Sequence, residues 1–260
     1  MYAFLGVLIK FLAISKISPY PALSIVVYVS FFYILHEMTQ IRAGVAIGLV
    51  FWSIIDVAKN NKKNFLIKIL IATLFHYSAI VFIMLYFIGT KFRKTELALY
   101  FFLPILGIIF MYTNLFKPII YSLPEYLPSF LGYKIDLYFM LLEKEKLKTV
   151  NPINLGNISL LIALYFAMFM IFKNNTKSIN NDVLVLSVKW LSLGFFILFS
   201  LSFIEVFAYR MANYLFFSLV IVLPFVFTRF RPRAFSLSVF AIFLAYIFYS
   251  SLQMLNFDKL

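Results

Sequence analysis

Seven apolar runs of roughly membrane length organise this chain, at about 20–37, 43–58, 96–113, 155–172, 183–207, 211–228 and 234–252. Each is closed off by charge or by clusters of Asn, Pro and Ser. A helix needs about 20 mostly apolar residues to cross the hydrocarbon core of a bilayer. Composition agrees, with 64% hydrophobic and only 13% charged residues, against about 45–50% and 25% in a soluble domain. Such a chain cannot cover its surface with polar groups in water. The expected fold is all-α: a polytopic helical integral membrane protein forming one transmembrane domain over residues 1–260, with about seven or eight crossings, a re-entrant helical hairpin and a long outer loop.

Two stretches need separate treatment. The run at 1–15 carries Lys10 in its middle and ends at Lys16, so it reads as a short interfacial or truncated segment. No basic region and small-residue cleavage site mark a signal peptide. The run at 64–89 lies between Lys59, Lys62 and Lys63 on one side and Lys91, Arg93 and Lys94 on the other. A single crossing would place one of these clusters outside, against the positive-inside tendency. A hairpin that enters and leaves on one side keeps both clusters inside, with Lys10, Lys16, Lys173, Lys177, Arg229, Arg231 and Arg233. The outside then receives the Arg42 turn, the Arg210 turn and the connection at 114–154, read as a periplasmic loop. A membrane-buried hairpin tip is tolerated only against protein or a watery cavity, and here it falls near His76. Within the outer loop, 133–148 reads as a short helix lying on the membrane surface, its first half apolar and its end charged.

The net charge of +13 would suggest nucleic acid in a soluble protein. Here the cations sit between apolar runs, where they set orientation and meet anionic lipid headgroups, and no nucleic-acid partner is expected. The absence of Cys removes disulfides, thiolate metal sites and cysteine nucleophiles. Two His and no Gly-rich phosphate loop argue against a zinc or nucleotide site, so neither metal nor cofactor is expected.

Ionisable residues inside a membrane are functional candidates by default, because each is costly when unpaired. On this topology they gather at the outer end. His36, Glu37, Gln40 and Arg42 lie at one turn, Glu205 and Arg210 at another, and His76 at the hairpin tip. Two guanidiniums can fork onto a pyrophosphate, and Glu37, Glu205 or His76 can take a proton from a hydroxyl nucleophile. Plainer roles stand beside these. Arginines at helix ends snorkel, His76 can be an inter-helix hydrogen-bond partner, and His36 suits an interfacial position. Asp56 is expected to pair with Lys59 or Lys62, Tyr209 and Tyr214 fit an aromatic belt, and Ala43, Gly44, Ala46 and Gly48 mark close helix packing.

The stretch HEMTQIRAGVAIGLVFWSIIDVAKNNKKNFLIKILIATLFHYSAIVFIMLYFI resembles the core of the EpsG-like polysaccharide polymerases, which include O-antigen polymerases. The resemblance rests on Arg42 opening a helix of small residues with Ala46, the Lys62–Lys63 turn, Ala72, His76 and Ser78. A second Arg with a Tyr close behind is matched by Arg210 and Tyr214. It implies polymerisation of glycan repeat units carried on undecaprenyl pyrophosphate, at the periplasmic face of the bacterial inner membrane. Arg42 and Arg210 would hold the pyrophosphate, and His76 with Glu37 or Glu205 would position or deprotonate the acceptor. Gln40, Tyr214 and Tyr133 of the overhanging loop would contact substrate. Implied partners are the lipid-linked oligosaccharide, membrane lipids and a chain-length regulator protein. Similar proteins begin with a further segment and an acidic outer loop, so the Lys10 run is expected to be a truncated start lacking one carboxylate. A flippase of lipid-linked units, an acyltransferase of surface glycans and a structural subunit are the other readings.

Overall fold

The computed structural model describes residues 2–90, 94–126, 132–133, 140, 151–173 and 179–257. Among them every regular element is helical. In chain order these are α1 (Tyr2–Ile17), α2 (Pro21–Tyr28) running into a π-helix (Val29–Thr39), α3 (Ile41–Trp52), α4 (Ile54–Ala58) and α5 (Lys62–Phe75). A 3-10 helix (Tyr77–Phe87), α6 (Lys94–Thr113), α7 (Phe116–Tyr126), α8 (Leu155–Lys173) and α9 (Ile179–Ser200) follow. A short 3-10 turn (Ser202–Ile204), α10 (Glu205–Phe216), α11 (Leu219–Arg229) and α12 (Arg233–Phe257) complete the chain. Five helices are long and apolar enough to cross a membrane, and seven if each of two bent pairs forms one span. The bent pairs are α6 with α7 and α10 with α11, turning by 72° and 58°.

Local signals place the breaks. Pro21 occupies the first turn of α2, where its missing N–H costs nothing. Asn61 caps α5 by accepting from the Asn64 N–H at 3.2 Å, after a left-handed turn at Asn60 (φ 53°). His76 is extended (φ −150°, ψ 112°) and divides α5 from the 3-10 helix. These two arms form the expected hairpin: Phe65 near the start of one packs on Tyr86 near the end of the other, ring centroids 5.3 Å apart. At about 1.5 Å per residue α5 spans roughly 21 Å, and at about 2 Å the second arm spans roughly 22 Å. Each arm is shorter than the roughly 30 Å hydrocarbon core.

Contacts along the helices sort the elements into two ends. At one, the Lys16 and Lys68 ammoniums each lie 5.3 Å from the Trp52 ring, Lys189 bonds Glu96, and Arg229 closes α11. We call this the basic end. At the other, distal end, Tyr2 meets Phe75 (6.1 Å) and Asn157 meets Tyr209 (3.3 Å). Lys10, expected on the inner side with Lys16, instead bonds Glu37 of the group expected outside, and Lys91 and Arg93 lie outside the described residues.

Several expectations change. The run at 1–15 is part of the helical core. It folds as α1 and packs along α3, with Ala13 and Ile14 fully buried and Lys10 at 0% exposure. The run at 183–207 breaks earlier than expected, at 201–204, because α9 ends at Ser200. Glu205 and Arg210 therefore stand on the first turns of a helix rather than in a turn. Asp56 pairs with Lys68, twelve residues on, and not with Lys59 or Lys62. The 114–154 connection opens with helix α7. Most of 127–150, including the expected surface helix at 133–148, lies outside the described residues.

Candidate functional site

Two parallel helices, α3 and α10, carry the two arginines. They pack on each other, and near their far ends Phe51 meets Phe217 edge to face at 4.9 Å. Arg42 stands nine residues and Arg210 seven residues distal to that contact, or about 13 and 10 Å along the axes at 1.5 Å per residue. Both guanidiniums therefore reach the distal end at similar depth, and both side chains are exposed. Exposed cations on adjacent helices suit a multiply charged anion.

The hairpin brings the third group. His76, half-buried at the tip, lies close enough to Arg210 for its charge to act on the imidazole. Two turns into the 3-10 arm, Phe82 stacks on Tyr214 of α10 with centroids 4.4 Å apart and rings 27° from parallel. The Ser78 hydroxyl donates to the Tyr214 oxygen at 3.4 Å. Tyr214 is 1% exposed, so it is neither a belt residue nor a surface contact. It ties the hairpin to the helix bearing Arg210, which sets the His76–Arg210 approach.

Glu205 begins α10 and acts on Tyr209 one turn later. The Tyr209 hydroxyl accepts from the Asn157 side-chain amide, and that amide also donates to the Pro152 carbonyl at 2.7 Å. This joins α8 to the Arg210 helix, a role that the belt reading of Tyr209 misses. Gln40 is half-buried and its N–H donates to the Leu35 carbonyl at 2.8 Å, closing the π-helix. Tyr133 is exposed.

His36 and Glu37 sit elsewhere. Both are buried, at 0% and 5% exposure. His36 stacks on Phe32 with centroids 5.3 Å apart and lies 6.0 Å from the Phe217 ring. Glu37 accepts from the Lys10 ammonium and from the Tyr28 hydroxyl at 2.9 Å. Its carboxylate is thus committed beneath the distal face and does not stand with Arg42. Sequence reasoning missed Lys10 and Tyr28. A lysine in the middle of a helix-length apolar run was the available signal.

Among the described residues no three His, Asp or Glu side chains converge on a metal position. The distal site consists of two exposed arginines, a histidine beside one of them, and a carboxylate on the same helix as that arginine. Such a set can hold an anionic leaving group and accept a proton. Searches of curated proteins and of solved structures gave no match. A family model described as the EpsG family matches residues 1–259. The chain belongs to the EpsG family, a family of polysaccharide polymerase-like membrane proteins.

Proposed function

We propose that this protein polymerises glycan repeat units carried on undecaprenyl pyrophosphate, building O-antigen or a related surface polysaccharide at the periplasmic face of the bacterial inner membrane. The observation that carries this reading is the placing of Arg42 and Arg210 at similar depth on adjacent helices of an EpsG-family membrane protein, with His76 beside Arg210. The orientation follows from the basic end facing the cytoplasm.

In the reaction, a sugar hydroxyl of one lipid-linked unit attacks the anomeric carbon of the chain on another. The new glycosidic bond forms as the bond from that carbon to the pyrophosphate oxygen breaks. Arg42 and Arg210 hold the pyrophosphate and stabilise the charge that grows on it, a contribution strongest where donors are already in place. His76 or Glu205 takes the hydroxyl proton. Gln40 and Tyr133 contact the glycans, and Tyr214 acts from below by holding the hairpin. A chain-length regulator and the surrounding lipids are the expected partners. No metal or cofactor enters this scheme.

The test is genetic and chemical together. Arg42→Ala and Arg210→Ala should each abolish long surface polysaccharide while leaving single-unit capping intact. A normal ladder of chain lengths from both variants, at normal protein level, would falsify the polymerase assignment. Accumulation of single units on the cytoplasmic leaflet would instead support a flippase.

A further inference from the structure

We propose that Lys10 is a positioning residue for this reaction. Through a buried clamp with Glu37 and Tyr28 it fixes the end of the π-helix from which Arg42 is launched. The proposal rests on the polymerase reading given above.

The clamp depends on the π-helix. Tyr28 and Glu37 are nine residues apart, which is two and a half turns of an α-helix and would put them on opposite faces. The wider i→i+5 winding adds close to one residue per turn, so that nine residues make about two turns and the two side chains align. The Tyr28 hydroxyl then donates to Glu37 Oε1 at 2.9 Å. Lys10 donates to the same oxygen from α1, and its ammonium lies 5.5 Å from the Tyr28 ring and 5.8 Å from the Phe217 ring.

Neighbouring helices press closely on this group. A Cβ at Gly6, one turn from Lys10 on α1, would come within 2.5 Å of Glu37 Oε2. A Cβ at Gly48 on α3 would come within 3.1 Å of the Lys10 side chain. Lys10 and Glu37 are both almost wholly buried, at 0% and 2% side-chain exposure. A pair of buried charges is seldom retained for stability alone, since apolar replacements of similar shape are often as stable. Here Glu37 sits three residues before Gln40 and five before Arg42. The π-helix ends at Thr39 and α3 starts at Ile41, so the clamp sets where α3 begins. It also touches Phe217, the residue that closes α10. One cluster thereby ties together the helices carrying both arginines.

The double variant Lys10→Met/Glu37→Gln removes both charges and should still fold, while turnover per folded molecule falls at least tenfold on a lipid-linked repeat unit. Tyr28→Phe, which deletes one hydroxyl and keeps the ring, should lower kcat about three- to tenfold with KM little changed. A purely structural clamp would lower the yield and leave turnover per folded molecule untouched. Unchanged kcat in Tyr28→Phe together with either unchanged turnover or an unfolded chain in the double variant overturns the proposal. Arg42→Ala is run beside them. If it is inactive while the clamp variants are normal, only the clamp fails; if it too is normal, the polymerase reading fails.

Discussion

Close approach between backbones makes glycine the most demanding residue type in this core. A Cβ at Gly44 would stand 2.6 Å from the His36 carbonyl oxygen, whereas at Gly6 it would meet the end of the Glu37 side chain at 2.5 Å. A carboxylate can swing aside, but a main-chain carbonyl moves only with its helix. Gly44→Ala should therefore cost more than Gly6→Ala, roughly 2–3 against 1 kcal/mol, within the usual range for overpacking. Thermal unfolding in detergent ranks the two, and the reverse order would mean that the π-helix yields more easily than the Glu37 side chain. In activity the ranking should invert where the clamp matters, because Gly6→Ala pushes Glu37 off Lys10.

The re-entrant hairpin is the element on which the distal site depends, and its return arm is held by Lys189 of α9. That ammonium donates to the Gly89 carbonyl and to Glu96 Oε2, each at 2.6 Å, and lies over the Tyr100 ring. Lys189 is 1% exposed as a side chain and Glu96 33%. Removing the lysine leaves a carboxylate that water can reach, while removing the carboxylate leaves a buried ammonium with less to hold it. Glu96→Gln should thus destabilise the fold more than Lys189→Met, by about 1 kcal/mol in thermal unfolding; equal losses would argue against the burial asymmetry. The hairpin was legible in the sequence because like charges flank both its ends. Other features were not. Only Ser200 and Ser202 mark the break at 201–204, a weak signal inside a run that Leu201, Phe203 and Ile204 keep apolar. The partner of Lys10 lies 27 residues away, on a face that ordinary helical periodicity assigns to the opposite side.

For the whole molecule, the two-ended sorting of charge predicts which loops face which compartment. The chain has no Cys, so single cysteines report cleanly. Lys62→Cys and Thr90→Cys, at the two feet of the hairpin, should both resist an impermeant maleimide in intact spheroplasts and react once the membrane is opened. Labelling of one but not the other would turn the hairpin into a crossing. The broad distribution of the site along the chain was legible too, since Arg42, His76 and Arg210 stand out against apolar surroundings. The approach of the His76 hairpin to the Arg210 helix came from packing that spacing alone does not encode, above all the Phe82–Tyr214 stack. That separation in sequence also has a meaning in time. Roughly 130 residues lie between His76 and Arg210, and at about 5–20 residues per second a ribosome needs on the order of 10 s to add them. A nascent chain therefore carries the proposed site's first guanidinium, Arg42, and its imidazole, His76, well before Arg210 exists. On the proposed chemistry, an unfinished polymerase cannot grip a pyrophosphate with both hands, and the enzyme becomes competent only as its last helices enter the bilayer.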